Sequence, residues 1–115
     1  MSAAAPVDLS HLARYTGGER GLNAEILRLF DLQLSEMVDN LRGVLKGRDA
    51  KRWREITHTI KGAARGVGAF SVGEAAAAAE PVDPLLQHDQ AESAIENLRL
   101  QGDEVRAFIA SYLES

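Results

Sequence analysis

Between Asn23 and Lys46, apolar residues return at three- and four-residue steps: Ile26, Leu27, Phe30, Leu34, Met37, Val38, Leu41 and Leu45. That spacing puts them on one face of an α-helix, with polar residues opposite, and Gly47 is placed to end it. A second stripe, Trp53, Ile56, Ile60, Ala63, Ala64 and Val67, follows Asp49, a natural N-cap, and predicts a helix over Ala50–Val67, after which Gly66 and Gly68 loosen the chain. An alanine-rich stretch predicts a short helix from Ser71 to Glu80. Pro81 and Pro84 stop it, because each lacks a backbone donor and constrains the residue before it. Ala91, Ala94, Ile95, Leu98, Val105, Phe108, Ile109 and Leu113 restore the helical spacing over about Gln90–Leu113, with Gly102 as a weak point. At the front, Leu9, Leu12 and Ala13 predict a short helix towards Tyr15, capped by Asp8 or Ser10 and ended by Thr16-Gly17-Gly18. Residues 1–6 read as a flexible tail.

Four amphipathic helices on short connections, with one short helix ahead of them, predict an all-α antiparallel four-helix bundle, residues 7–115 forming a single domain. No segment asks for a strand. A chain of 115 residues is the size of one domain, and 45% hydrophobic with 26% charged residues suits a core and a solvated surface. Aromatics are only 5%, which favours aliphatic helix packing over a sandwich or barrel. With no cysteine, disulfides, thiolate metal sites and a cysteine nucleophile are excluded. The start MSAAAPVD lacks the basic and apolar regions of a secretory signal, and no window approaches a membrane span of about 20 apolar residues, so a cytoplasmic protein is expected. A net charge of -4 makes nucleic acid a poor partner, since that binding rests on many cationic contacts to phosphates.

Against this acidic background one face stands out. At about 100° per residue, His58 falls nearly opposite the centre of the Trp53–Val67 stripe and so faces solvent. Lys51, Arg54, Lys61, Gly62 and Arg65 come to the same side. Such a face is most often only a solvated surface. Gly62 argues for more, because a mid-helix glycine costs about 1 kcal/mol relative to alanine, and alanine is used freely at 63 and 64. Clearance beside His58 for another protein's surface is a physical reason for it. An imidazole, with an unperturbed pKa of about 6.5, is a nucleophile at neutral pH and can carry a phosphoryl group. The neighbouring cations would favour that group and steer an acidic partner towards it.

The run His58-Thr-Ile-Lys61-Gly62-Ala-Ala-Arg-Gly-Val-Gly68-Ala69 resembles the signature of histidine-containing phosphotransfer (HPt) domains: a histidine, lysine three positions on, glycine at the fourth and glycine at the tenth. The likeness extends to the long preceding helix, the break at Gly47-Arg-Asp49 and a following helix that ends near a glutamate, here Glu80. It implies a four-helix bundle that is itself free of metal and cofactor. Its histidine takes phosphate from a receiver-domain aspartate and returns it to another receiver, the magnesium ion belonging to the receiver. It further implies that His58 is the phosphorylated residue, Lys61 the cation beside the phosphoryl group and Gly62 the residue permitting close docking. Arg54, Arg65 and Lys51 are then candidates for partner contact, and response-regulator receivers or a hybrid histidine kinase are the expected partners of a monomer. Thr57 departs from the small residue usual before the histidine and, at the stripe's edge, is expected to affect packing.

Chemotaxis-type kinases carry a similar signature ahead of a kinase region in the same chain, and no such region is expected here. Sensor-kinase dimerisation helices place an acid directly after the histidine and a proline soon after, where this chain has Thr59 and Gly62. There is no GxxxxGK[ST] loop, so autonomous kinase activity is not expected. His11, His58 and His88 share no short helical spacing, so metal binding is not expected, and Ser10, Ser35, Ser71 and Ser93 lack a nucleophile-elbow context. Trp53 is assigned to the core. Phe30, Leu34 and Phe70 either pack at the upper end of the bundle or rim His58, with core burial expected for the first two. The competing function is a helical adaptor that binds a signalling protein without phosphotransfer, His58 being an ordinary surface residue.

Overall fold

The computed structural model describes residues 5–115; of the tail expected over residues 1–6, residues 1–4 therefore lie outside the described residues. The chain forms α1 (Leu9–Thr16), α2 (Arg20–Gly47), α3 (Ala50–Val67), α4 (Phe70–Ala79) and α5 (His88–Glu114), and the described residues contain no strand. Helices α2 to α5 pack in a ring, α2 against α3, α3 against α4, α4 against α5 and α5 against α2, while α1 lies on α2 and α3. The two-residue links at 48–49 and 68–69 leave no room for anything but antiparallel neighbours, as the hydrophobic pattern predicts.

Side chains on the entering residues start three of the helices. Asp8 Oδ1 accepts the backbone N–H of His11, the Glu19 carboxylate accepts those of Gly21 and Leu22, and Asp49 Oδ1 accepts that of Arg52. Each satisfies donors that a helix start leaves unpaired. Asp8, not Ser10, is thus the cap of α1, and the carboxylate of Glu19 lets α2 begin before Asn23, at Arg20.

The helix ends differ from the sequence expectation for identifiable reasons. Gly47 stays helical, and Arg48 takes the left-handed conformation at φ 55°, donating to Leu45 O while Asp49 donates to Val44 O. Asp49 must already cap α3, so the reversal is compressed into one residue. Gly66 is also helical, and α3 stops at Gly68, whose φ is +88°. A Cβ on Gly68 would lie 2.6 Å from the Asp8 carbonyl oxygen, and Asp8 N donates to Gly68 O at 2.9 Å. This close crossing fastens the entry to α1 onto the α3–α4 turn. Helix α4 is shifted one residue from expectation, to Phe70–Ala79. Helix α5 starts two residues early and runs through Gly102 unbroken. Gly102 is buried with Leu34 Cδ2 3.4 Å from where its Cβ would stand, so the glycine is a close-packing position and not a weak point.

The core lies on the ring's axis. Leu27, Phe30, Leu34 and Leu41 of α2 meet Trp53, Ile60 and Ala64 of α3, Ala76 and Ala79 of α4, and Leu98, Val105 and Ile109 of α5, all essentially inaccessible. The alanines let α4 nest closely against its neighbours. Trp53 is buried as assigned, and its indole N–H donates to Ala79 O at 2.9 Å. Thr57 is buried too, its hydroxyl turned back on Trp53 O at 2.9 Å, which disposes of a polar group on a packing face.

Candidate functional site

Helix α3 buries Trp53, Ile56, Thr57, Ile60 and Ala64, which leaves the opposite side to solvent. His58 stands there with its side chain 72% exposed. Its Nδ1 lies 2.8 Å from Glu80 Oε2, and the other oxygen of the same carboxylate, Oε1, lies 2.8 Å from Lys61 Nζ. Glu80 thus bridges two residues one helical turn apart on α3. The indole of Trp53, holding Ala79 O, ties down the backbone next to it.

This geometry assigns the protons. A carboxylate only accepts, so the hydrogen between His58 and Glu80 sits on Nδ1, and in the neutral ring the lone pair is then on Nε2. Nε2 is the ring atom that this contact leaves without a partner from Glu80. Glu80 is held below the usual carboxylate range, first by the hydrogen bond from Lys61 and then by that from His58, against a smaller opposing effect of burial.

Lys51, Arg54, Lys61, Gly62 and Arg65 do share a side of α3 with His58, but not one environment. Lys61 is folded in against Glu80 and only 21% exposed, so it is a paired cation and not the free one the helical wheel suggests. Lys51, Arg54 and Arg65 are exposed, and none makes an ion pair among the described residues. Gly62 is exposed, and a Cβ there would meet nothing within 4 Å; the same holds for Gly66 one turn on. Packing inside the chain gives no reason for a glycine at 62.

Phe30 and Leu34 are in the core, as expected. Phe70 is 41% exposed, and its ring stacks edge-on against His11 at 5.1 Å, on the α1 side of the bundle and not around His58. His88 pairs with Glu92 on its own helix, so the three histidines stay apart. Among the described residues no cluster of three His, Asp or Glu side chains could hold a metal ion, and no helix is long and apolar enough to cross a membrane.

Sequence reasoning reaches Glu80 only as a helix end within a resemblance and misses its contact with His58. A signal for that contact lies in the residue count of the helical hairpin. His58 is ten residues before Gly68 and Glu80 eleven after Ala69, which in an antiparallel pair of helices brings them level.

The site is thus an exposed histidine on a four-helix bundle, its Nδ1 held by a carboxylate that also holds a lysine one turn on. The family model of the Hpt domain matches residues 25–111, and the chain belongs to that family, whose work is histidine phosphotransfer in two-component phosphorelays. No curated protein and no solved structure matches the chain.

Proposed function

We propose that His58 is the phosphoryl carrier of a phosphorelay, taking the group from a phosphorylated aspartate on one receiver domain and giving it to an aspartate on another. The observation that carries this is the hydrogen bond from His58 Nδ1 to Glu80, which leaves the exposed Nε2 with its lone pair outward. In the forward step that lone pair attacks phosphorus, the bond from phosphorus to the aspartyl oxygen breaks, and its electrons stay on the partner's carboxylate. The imidazole becomes cationic and keeps its Nδ1 proton against Glu80, whose negative charge offsets it. In the return step the second receiver's carboxylate attacks phosphorus and the N–P electrons go back to Nε2. Lys61, already beside the ring, supplies charge to the phosphoryl oxygens.

Gly62 serves as the clearance that admits the partner's surface, a role supported by its open surroundings. Arg54, Arg65 and Lys51 contact that partner. The domain over residues 7–115 acts as a cytoplasmic monomer on receivers or a hybrid kinase, its own bundle closed, and does not bind nucleic acid. The test is incubation of the protein with receivers charged by radiolabelled acetyl phosphate. Label that is lost in acid and kept in base is expected on the wild type and absent from His58→Gln. Transfer to the Gln variant, or none to the wild type from any receiver of the source organism, overturns the proposal and leaves the adaptor reading.

A further inference from the structure

Helix α4 is built almost wholly of alanine after Val72, yet it holds a buried glycine at 73. Glycine is the poorest helix former after proline, and Gly73 has no positive φ to excuse it. Its surroundings supply the reason. A Cβ at 73 would stand 3.1 Å from Cγ and 3.7 Å from Nε of Arg65, whereas the nearest atom of the packed α3 surface, Ala64 Cβ, would be at an ordinary 3.8 Å. The glycine therefore makes room for the stem of one arginine, which lies across α4, and not for the approach of the two helices.

The seat is in register with the candidate site. Gly73 is seven residues before Glu80 on α4 and Arg65 seven after His58 on α3, two turns and about 10 Å along the same interhelical line. A standard docking surface of about 800 Å² per partner is a disc of about 16 Å radius, so a domain centred on His58 covers Arg65. Lys61 is occupied by Glu80; the guanidinium of Arg65 has no ion-pair partner among the described residues. Its stem lies in the space left by the missing Cβ of Gly73, and packing of that kind reduces the ordering entropy that an exposed arginine otherwise loses on binding.

We infer that Gly73 is a positioning residue that seats Arg65, and that the seated guanidinium is a specificity contact for acidic side chains on the docking face of the receiver that exchanges phosphate with His58. The inference rests on the phosphotransfer proposal and adds to it the charge of the partner's rim. Arg65 sets how well the receiver binds and leaves the reacting atoms alone.

Four proteins test it: wild type, Arg65→Gln, Gly73→Ala and the double variant, each with a receiver that labels the wild type. The transfer rate is measured against receiver concentration at low and high salt. Arg65→Gln is expected to raise the half-saturating concentration about fivefold, with the saturated rate within about twofold of wild type. Gly73→Ala should raise it in the same direction by about threefold while melting no lower than wild type, since alanine favours the helix and only a flexible stem must move. The double variant should bind no worse than Arg65→Gln, and high salt should erase the differences. Full additivity of the two changes, or no effect of Arg65→Gln, overturns the inference while leaving His58 as carrier. A wild type that takes no label removes both.

Discussion

The indole Nε1 of Trp53 donates to the carbonyl oxygen of Ala79 at 2.9 Å, and the residue after Ala79 is the glutamate that holds His58. A buried side chain of α3 thereby ties down the end of α4 that carries the carboxylate facing His58. Without the indole, Ala79 O would keep only the hydrogen bond from Val82 N at 3.1 Å, and nothing from α3 would hold this end of α4 at that oxygen. Trp53→Phe is expected to destabilise the fold by about 2–3 kcal/mol, from lost volume and the loss of the indole's buried hydrogen bond. It should also slow transfer to His58 at temperatures where the variant is fully folded. Denaturant unfolding and labelling kinetics measure the two effects; an unchanged transfer rate would separate Trp53 from the site.

Glu80→Gln tests the tautomer argument. The amide keeps the shape but presents no negative charge to the cationic ring, so transfer to the variant should fall about tenfold, the rate equivalent of about 1.4 kcal/mol of lost charge stabilisation. His58 is accessible in either case, so label should remain detectable. Equal rates for both proteins would mean the His58–Glu80 contact is incidental.

The same carboxylate gives a pH signature. Its folded-state pKa is depressed below the ordinary 4.5 by Lys61 and then His58, so the stabilisation it brings is present above that value and disappears as pH falls through the lowered one. The stability difference between wild type and Glu80→Gln should therefore be constant above about pH 5 and shrink on acidification below 4.5. Thermal unfolding across that range reads it directly; a difference that grows in acid would contradict the assignment.

At Gly62 stability and function should part company. Gly62→Ala is expected to stabilise the protein by about 0.5–1 kcal/mol, because its Cβ enters open space and alanine is the better helix former. Gly62→Gln should fold normally yet slow transfer at least several-fold, since a long side chain would stand where the partner must approach. Wild-type rates for the Gln variant would leave the glycine without an account.

Gly68 makes the opposite case. Its φ of +88°, and the Asp8 carbonyl oxygen 2.6 Å from where a Cβ would stand, exclude any side chain. Gly68→Ala should cost about 1–3 kcal/mol and loosen α1, with greater amide exchange over Leu9–Thr16. Exchange protection equal to wild type there would show that α1 is held by other contacts.

Periodicity specified α1, α2, α3 and α5, because each buries one stripe of a repeat that only a 3.6-residue turn brings together, while alanine content and the prolines after it specified α4. It also put His58 on the solvent side, since the opposite side of α3 is filled by Trp53, Ile56 and Ile60. Local rules of that kind say what one helix does with its own residues. They could not say that Gly102 is a packing position, because Leu34 comes from another helix. Nor could they say that Lys61 is paired, because Glu80 reaches it across the α3–α4 interface. The histidine was legible in the chain; its tautomer, its paired lysine and the seat of Arg65 were decided by how α4 packs on α3, where contacts depend on distances between helices that no single helical period contains.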